Sequence, residues 1–101
     1  MLELPRIEVK VKFVGYLCYL AGKREITVEV EHPASLRMVI ENAVETIGGR
    51  LKDYLVDPKT GKLWPPPPIA YVNDKAVYAS HDSATLREGD EVSLLVPVGG
   101  G

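Results

Sequence analysis

The sequence predicts an α+β fold, in which a mixed sheet of four or five strands carries one main helix across one face. Alternating apolar and polar residues occupy positions 7–13 and 26–30, and an apolar stripe with helical spacing occupies positions 36–47. Several short apolar runs follow from position 69 onward. Runs of strands with a single helix between them are typical of this fold class. A length of 101 residues suits one domain, so we expect a single domain over 1–101.

The first two strands are predicted from strict alternation. In Ile7–Phe13 every second residue is apolar, which is the period of a half-buried strand. Ile26–Val30 alternates in the same way, and its Thr27 and Glu29 point outward. Between them we predict a connection with a turn at Gly22. Two such strands in succession indicate an antiparallel pair with one solvent-facing side.

The main helix has a start signal, an apolar stripe and a stop signal. Ser35 is a favourable N-cap residue. Residues with the spacing of one helical face follow it: Leu36, Val39, Ile40, Ala43, Val44 and Ile47. Gly48 and Gly49 are predicted to end the helix in the left-handed conformation.

The second half of the chain predicts shorter elements. We expect one helical turn around Leu51–Leu55, a turn at Asp57–Gly61 and extended backbone at Pro65–Pro68. Short strands at Ile69–Val72 and Ala76–Tyr78, a turn at Leu86–Asp90 and a last strand over Glu91–Val98, with Val92, Leu94 and Val96 inward, complete the order. The first and last strands are the most apolar and are predicted to lie centrally. This order predicts a β-grasp, the architecture of ubiquitin.

Composition excludes several classes of function. The net charge of −2 gives no support to a nucleic-acid partner, which requires clustered lysine and arginine. The uncharged stretch 13–22 is too short to span a bilayer, so we expect no membrane contact and a cytoplasmic location. The single cysteine, Cys18, excludes an internal disulfide. Glutamine is absent and asparagine scarce, which is a tendency of thermophile proteins.

We find no self-sufficient active site. Phosphate-loop and dinucleotide-binding motifs are absent from the sequence, and His32 and His81 are expected to lie apart in solvated loops. Cys18 has no neighbour that would stabilise a thiolate, so packing is its expected role. The proline run is a stiff connection or, as an alternative, a peptide-recognition segment. We therefore expect a protein that is not an enzyme and holds no metal or bound cofactor.

The C-terminal residues are the most unusual feature. Pro97 and Val98 precede Gly99, Gly100 and Gly101, and we expect a flexible tail over about 97–101. A frayed terminus is the alternative explanation. A tail without side chains enters a narrow channel easily, and the only functional group of Gly101 is its α-carboxylate.

Three segments resemble the small-subunit family of molybdopterin synthase. They are Val9 to Gly22 (VKVKFVGYLCYLAG), Ala70 to Asn73 with Lys75 (AYVNDK), and Leu86 to Gly101 (LREGDEVSLLVPVGGG). The most specific part is Gly-Asp-Glu-Val, a hydrophobic strand, Pro-Val, a small residue and Gly-Gly. Related β-grasp carriers serve thiazole synthesis, and ubiquitin-related and archaeal small modifiers end in the same way.

The resemblance implies a sulfur carrier. An adenylyltransferase of the ubiquitin-activating type would use ATP to adenylate Gly101, and a sulfur donor would then leave a C-terminal thiocarboxylate. The molybdopterin synthase large subunit would take the tail, with Gly100, Gly99, Val98 and Pro97 leading to the reactive group. The implied alternatives are a protein modifier joined to target lysines and a carrier for tRNA thiolation. A β-grasp interaction module with an inert tail remains a third possibility.

Strand parity predicts a docking surface for these partners. If Phe13 and Leu94 point inward, Val14 and Leu95 point outward, and parallel first and last strands would bring them together at the root of the tail. Exposed apolar residues at such a position indicate an interface. The resemblance adds Ala76 as a third position, at which this chain has a smaller residue than is usual in the family.

Overall fold

The computed structural model describes residues 5–64, 68–77 and 85–96. Seven strands and three helices lie within these ranges. The strands are Arg6–Phe13 (β1), Glu25–Glu31 (β2), Ala34–Ser35 (β3), Ile69–Val72 (β4), Lys75–Val77 (β5), Thr85–Leu86 (β6) and Glu91–Leu95 (β7), and the helices are Tyr16–Ala21 (α1), Leu36–Ile47 (α2) and Gly49–Leu55 (α3). Of the helices described, none has the length and hydropathy that a bilayer span requires.

Five of the strands form one mixed sheet in the order β2-β1-β7-β4-β5. β1 and β7 are parallel neighbours, and the other pairs are antiparallel. The predicted mixed sheet is confirmed, and the first and last strands each have a neighbour on both sides, as expected. A second sheet, made of β3 and β6, was not predicted because each strand has only two residues and shows no periodicity.

The core lies between the inner face of the sheet and the helices. Alternate residues of β1, from Ile7 to Phe13, are at most 6% exposed, and Val92 and Leu94 of β7 are fully buried. The stripe of α2 packs on them, with Leu36, Val39 and Ile40 fully buried. The predicted β-grasp arrangement therefore follows from the parity of the strands and the single apolar stripe of the helix.

α2 begins as predicted and ends by a different geometry. Ser35 Oγ accepts a hydrogen bond from Met38 N at 3.1 Å, which confirms the N-cap. The helix stops at Gly48, but Gly48 has φ 64° and ψ −149°, so the left-handed helical cap was wrong. This extended conformation with positive φ is accessible essentially to glycine alone. It turns the chain so that α3 begins at the next residue, and α3 confirms and lengthens the predicted turn around Leu51–Leu55.

The connection after β1 contains a helix that was not predicted. α1 lies between Gly15 at φ 61° and Gly22, whose φ of 71° and ψ of 12° form a left-handed C-cap. No side chain caps its N-terminus, and Leu17 is its one fully buried residue. A six-residue helix buries too little of one face to show a helical period in the sequence.

The remaining predicted elements are present in the described residues, some with different bounds. β5 begins at Lys75, one residue before the predicted Ala76, and Leu86, predicted to begin a turn, belongs to β6. The turn at Asp57–Gly61 is closed by Gly61 N donating to Asp57 O at 2.8 Å. β4 matches its predicted bounds, whereas β7 ends at Leu95 instead of Val98, and Val96 is half-buried beyond the strand. Residues 65–67, Tyr78 and the tail 97–101 lie outside the described residues, as does His81.

Candidate functional site

The parallel pairing of β1 with β7 determines where the chain leaves the sheet. Phe13 pairs with Leu94, and Val14 N donates to Leu94 O at 2.9 Å, so the ladder continues one residue beyond β1. Phe13 and Leu94 are buried on the inner face. The next residues along both strands, Val14 and Leu95, therefore face outward side by side, directly before the chain continues to residue 97.

A third apolar residue completes this row on the outer face. Ile69 of β4 pairs with Leu95, so the register runs Val14, Leu95, Ile69 across three adjacent strands. Val14 is 44% exposed, and Leu95 and Ile69 are half-buried. We call these three residues the tail-root patch. Sequence reasoning missed Ile69, because Ile69–Val72 has apolar residues at every position and its parity cannot be assigned.

Ala76 lies near this patch but not within it. It pairs with Tyr71 of β4, and Tyr71 pairs on its other side with Ser93 of β7. Ala76 is thus in the next row of the outer face and is separated from β7 by Tyr71. A partner that covers both Leu95 and Ala76 must also cover Tyr71, which is half-buried and was not singled out from the sequence.

Charged side chains border the patch on the β1 side. Lys12 Nζ lies 3.3 Å from Glu91 Oε1, and Lys10 Nζ lies 3.8 Å from the same oxygen. All three side chains are more than 40% exposed, so each pair stabilises the fold by at most about 1 kcal/mol. Lys12 lies in the row next to the patch, opposite Ser93, and Lys10 and Glu91 lie in the row after it. Solvated charges therefore stand at a short distance from the apolar row, as at the rim of an interface.

The tail residues named from the sequence are not among those described. Pro97, Val98, Gly99, Gly100 and Gly101 remain predictions, and the structure fixes only the position from which they depart. Within the described ranges, no group of three or more histidine, cysteine or acidic residues is placed to hold a metal ion. Cys18 is half-buried on α1 and packs against the core, in agreement with its expected role.

An exposed aromatic cluster was also missed. Tyr16 and Tyr19 of α1 stack with ring centroids 6.1 Å apart, and Tyr54 of α3 meets Tyr16 edge-to-face at 5.3 Å. The three rings are 41%, 69% and 45% exposed. The cluster depends on α1, which the sequence did not reveal, so no pattern along the chain indicated that Tyr54 would meet the other two.

A family model matches this chain over residues 11–101, which includes the last three residues of β1, the helices, β7 and the tail. The chain belongs to the ThiS family. ThiS-family proteins are small ubiquitin-like sulfur carriers rather than enzymes, so the family-level resemblance seen in the sequence is confirmed. No protein of curated function matches the chain in sequence.

Solved structures share the fold of this ThiS-family chain. SAMP1 (small archaeal modifier protein 1) from Haloferax volcanii is 24% identical with a TM-score of 0.75, over 93% of this chain and 99% of SAMP1. Urm1 from Trypanosoma brucei is 23% identical with a TM-score of 0.67, over 95% and 97%. In the complex of subunits 1 and 2 of molybdopterin-converting factor from Helicobacter pylori, the matching chain is 22% identical with a TM-score of 0.57, over 94% and 100%. These likenesses confirm the β-grasp fold.

Proposed function

We propose that this protein carries sulfur as a thiocarboxylate at Gly101 and donates it in molybdopterin biosynthesis, as the small subunit of a molybdopterin synthase. The observation that carries the proposal is the tail-root patch: an apolar row lies on the outer face directly before the chain enters its glycine-rich end. Apolar residues at such a position suit a partner that binds the folded domain there while the tail extends into the partner's active site. The family match, which extends to Gly101, supports the same conclusion.

The chemistry needs little from the carrier itself. An adenylyltransferase of the ubiquitin-activating type would join the Gly101 carboxylate to the AMP part of ATP and release pyrophosphate. A sulfur donor would then attack the acyl carbon, AMP would leave, and one oxygen of the carboxylate would be replaced by sulfur. Gly99 and Gly100 have no side chains, so the tail is thin enough for a narrow channel. We place this cycle in the cytoplasm, with no nucleic acid or membrane as partner.

The large subunit of molybdopterin synthase is the proposed partner that receives the sulfur-bearing tail. The structural likeness to a chain of the Helicobacter pylori two-subunit complex supports a partnership of this kind. In it, Val14, Leu95 and Ile69 would form the buried centre of the interface, and Lys12 and Glu91 its solvated rim.

A protein modifier joined to target lysines, or a carrier for tRNA thiolation, is the alternative function. The shared fold of SAMP1 and Urm1 supports it, and it would use the same patch and the same Gly101. The two functions differ in the acceptor alone. Sulfur transfer to a pterin precursor with a synthase large subunit would establish the first, and isopeptide-linked Gly101 on lysines would establish the second.

The deciding experiment is the intact mass of the protein after incubation with ATP, an adenylyltransferase of this type and a sulfur source. We expect the mass gain of one oxygen replaced by sulfur, and its complete loss when Gly101 is deleted. The Met38→Ala variant, changed at an exposed residue of α2 outside the tail-root patch, keeps the tail intact and should gain sulfur as the unaltered protein does. An unchanged mass, with the adenylyltransferase active on another carrier, would contradict the sulfur-carrier proposal and favour the inert-tail module or a modifier that needs different machinery.

A further inference from the structure

A second interaction site is indicated by the outer edge of β2. In the described part of the chain, β2 is a terminal strand of the sheet and pairs only with β1. It has seven residues, whereas β5 at the opposite edge has three. An unpaired edge of this length presents a row of N–H and C=O groups that another strand can bind.

The hydrogen bonds at the two ends of β2 show which residues have free backbone groups. Phe13 N donates to Arg24 O at 2.8 Å, and His32 N donates to Pro5 O at 2.8 Å. Backbone groups alternate in direction along an antiparallel strand, so the even-numbered residues between these ends face β1. The N–H and C=O groups of Glu25, Thr27, Glu29 and Glu31 consequently face outward, away from the sheet.

The negative charge along β2 favours a partner with basic side chains. β2 has three glutamates and no basic residue, and all three glutamates lie on its exposed face. Lys10 and Arg6 of β1 pair with Glu25 at 3.4 Å and with Glu29 at 2.9 Å, on the side away from the free edge. Glu31 has no ion pair in the described part of the chain. A strand added at this edge would place its outward side chains beside an acidic row, where basic residues are favoured.

The same charges exclude a second copy of this chain as the occupant. Two β2 edges paired with each other would set glutamate against glutamate across the new ladder, and like charges directly opposite are destabilising. We propose that the free edge of β2 binds an extended segment of a partner protein that alternates lysine or arginine with apolar residues, and that this segment adds to the sheet as a further strand. Its apolar residues would lie on the inner side, next to the half-buried Ile26. The proposal does not depend on the chemistry at Gly101.

The test uses the full-length protein and two labelled nine-residue peptides, one of alternating lysine and valine and one of alternating glutamate and valine. We expect binding of the lysine peptide alone, and an affinity that falls severalfold when salt rises from about 0.05 to about 0.5 M. In amide hydrogen exchange the lysine peptide should slow Thr27 and Glu29, while Val28, already bonded to β1, should not change. Equal binding of both peptides, or protection confined to other residues, would overturn the proposal.

Two variants of one residue separate backbone pairing from charge attraction. Thr27→Pro removes an outward N–H that β1 does not use, so the sheet should be retained and the lysine peptide should bind at least tenfold more weakly. Thr27→Val keeps the N–H and should bind normally. If Thr27→Pro does not fold, the exchange of Thr27 and Glu29 in the unaltered protein decides the question. Self-association of the unaltered protein through this edge would also contradict the proposal.

Discussion

Asn73 and Asp90 are joined by a hydrogen bond from Asn73 Nδ2 to Asp90 Oδ1 at 2.9 Å. Asn73 Oδ1 also accepts from Glu91 N at 3.0 Å, and Asp90 Oδ2 accepts from Arg87 N at 2.8 Å. One side-chain pair thus fastens the β4–β5 turn to the turn that precedes β7. Since β7 leads to the tail-root patch, this pair holds the strand that positions Leu95.

Two replacements of Asn73 should separate the contribution of its side-chain hydrogen bonds from that of its positive φ. Asn73 has φ 48°, which is unfavourable for alanine but not for glycine. We expect Asn73→Ala to lower the free energy of unfolding by about 2 kcal/mol, because the hydrogen bonds are lost and the backbone is strained. Asn73→Gly should lose less, because it relieves the strain. Urea denaturation measures both, and a glycine variant less stable than the alanine variant would contradict the assignment.

The N-cap of α2 should be replaceable only by another capping residue. Ser35→Ala leaves Met38 N without its acceptor and should cost about 1 kcal/mol of unfolding free energy. Ser35→Asp restores an acceptor and should remain close to the unaltered protein. Thermal unfolding followed by circular dichroism compares the two, and an equal loss in both variants would show that the hydroxyl acts by some route other than capping.

Substitution by asparagine should lower the free energy of unfolding more at Gly48 than at Gly22. Gly22 is in the left-handed helical region, which asparagine tolerates, so Gly22→Asn should cost less than about 1 kcal/mol. Gly48 combines φ 64° with ψ −149°, so Gly48→Asn should cost about 1–3 kcal/mol from backbone strain. No other atom comes closer than 3.9 Å to a Cβ added at Gly48, so collision does not explain the expected loss. Denaturant unfolding of both variants tests this, and equal losses would refute it.

The tail-root patch should matter for partner binding and not for folding. Val14→Asp introduces a charge at a side chain that is 44% exposed, and we expect at least a tenfold weaker affinity for a molybdopterin synthase large subunit with little change in unfolding free energy. Met38→Asp is the matched control, because Met38 is 46% exposed on α2 and lies outside the patch. Isothermal titration calorimetry measures both affinities. Equal binding by the two variants would remove Val14 from the interface.

The sequence predicted those elements in which one face is buried over several periods. β1 and α2 are of this kind, since their apolar residues recur often enough to identify both the element and its inner face. α1, β3 and β6 are too short to show a period, so they escaped prediction. The same reason explains which site residues could be predicted. Val14 and Leu95 lie at the ends of strands with clear alternation, whereas Ile69 belongs to a strand that is apolar at every position. Tyr54 meets Tyr16 through tertiary packing, which leaves no pattern in the sequence.

The tail-root patch exists only in the folded protein, because the parallel pairing of β1 with β7 brings its residues together. Val14 follows the first strand of the sheet and Leu95 ends the last one. The two side chains therefore come together only after the residues between them have been synthesised and have folded. Contacts between residues so far apart in the chain require the closure of a long loop, which makes their formation slow. A partner that requires both side chains at once would therefore ignore nascent, truncated and misfolded chains. Any reactive group installed beyond residue 96 would then be given only to molecules that have completed folding.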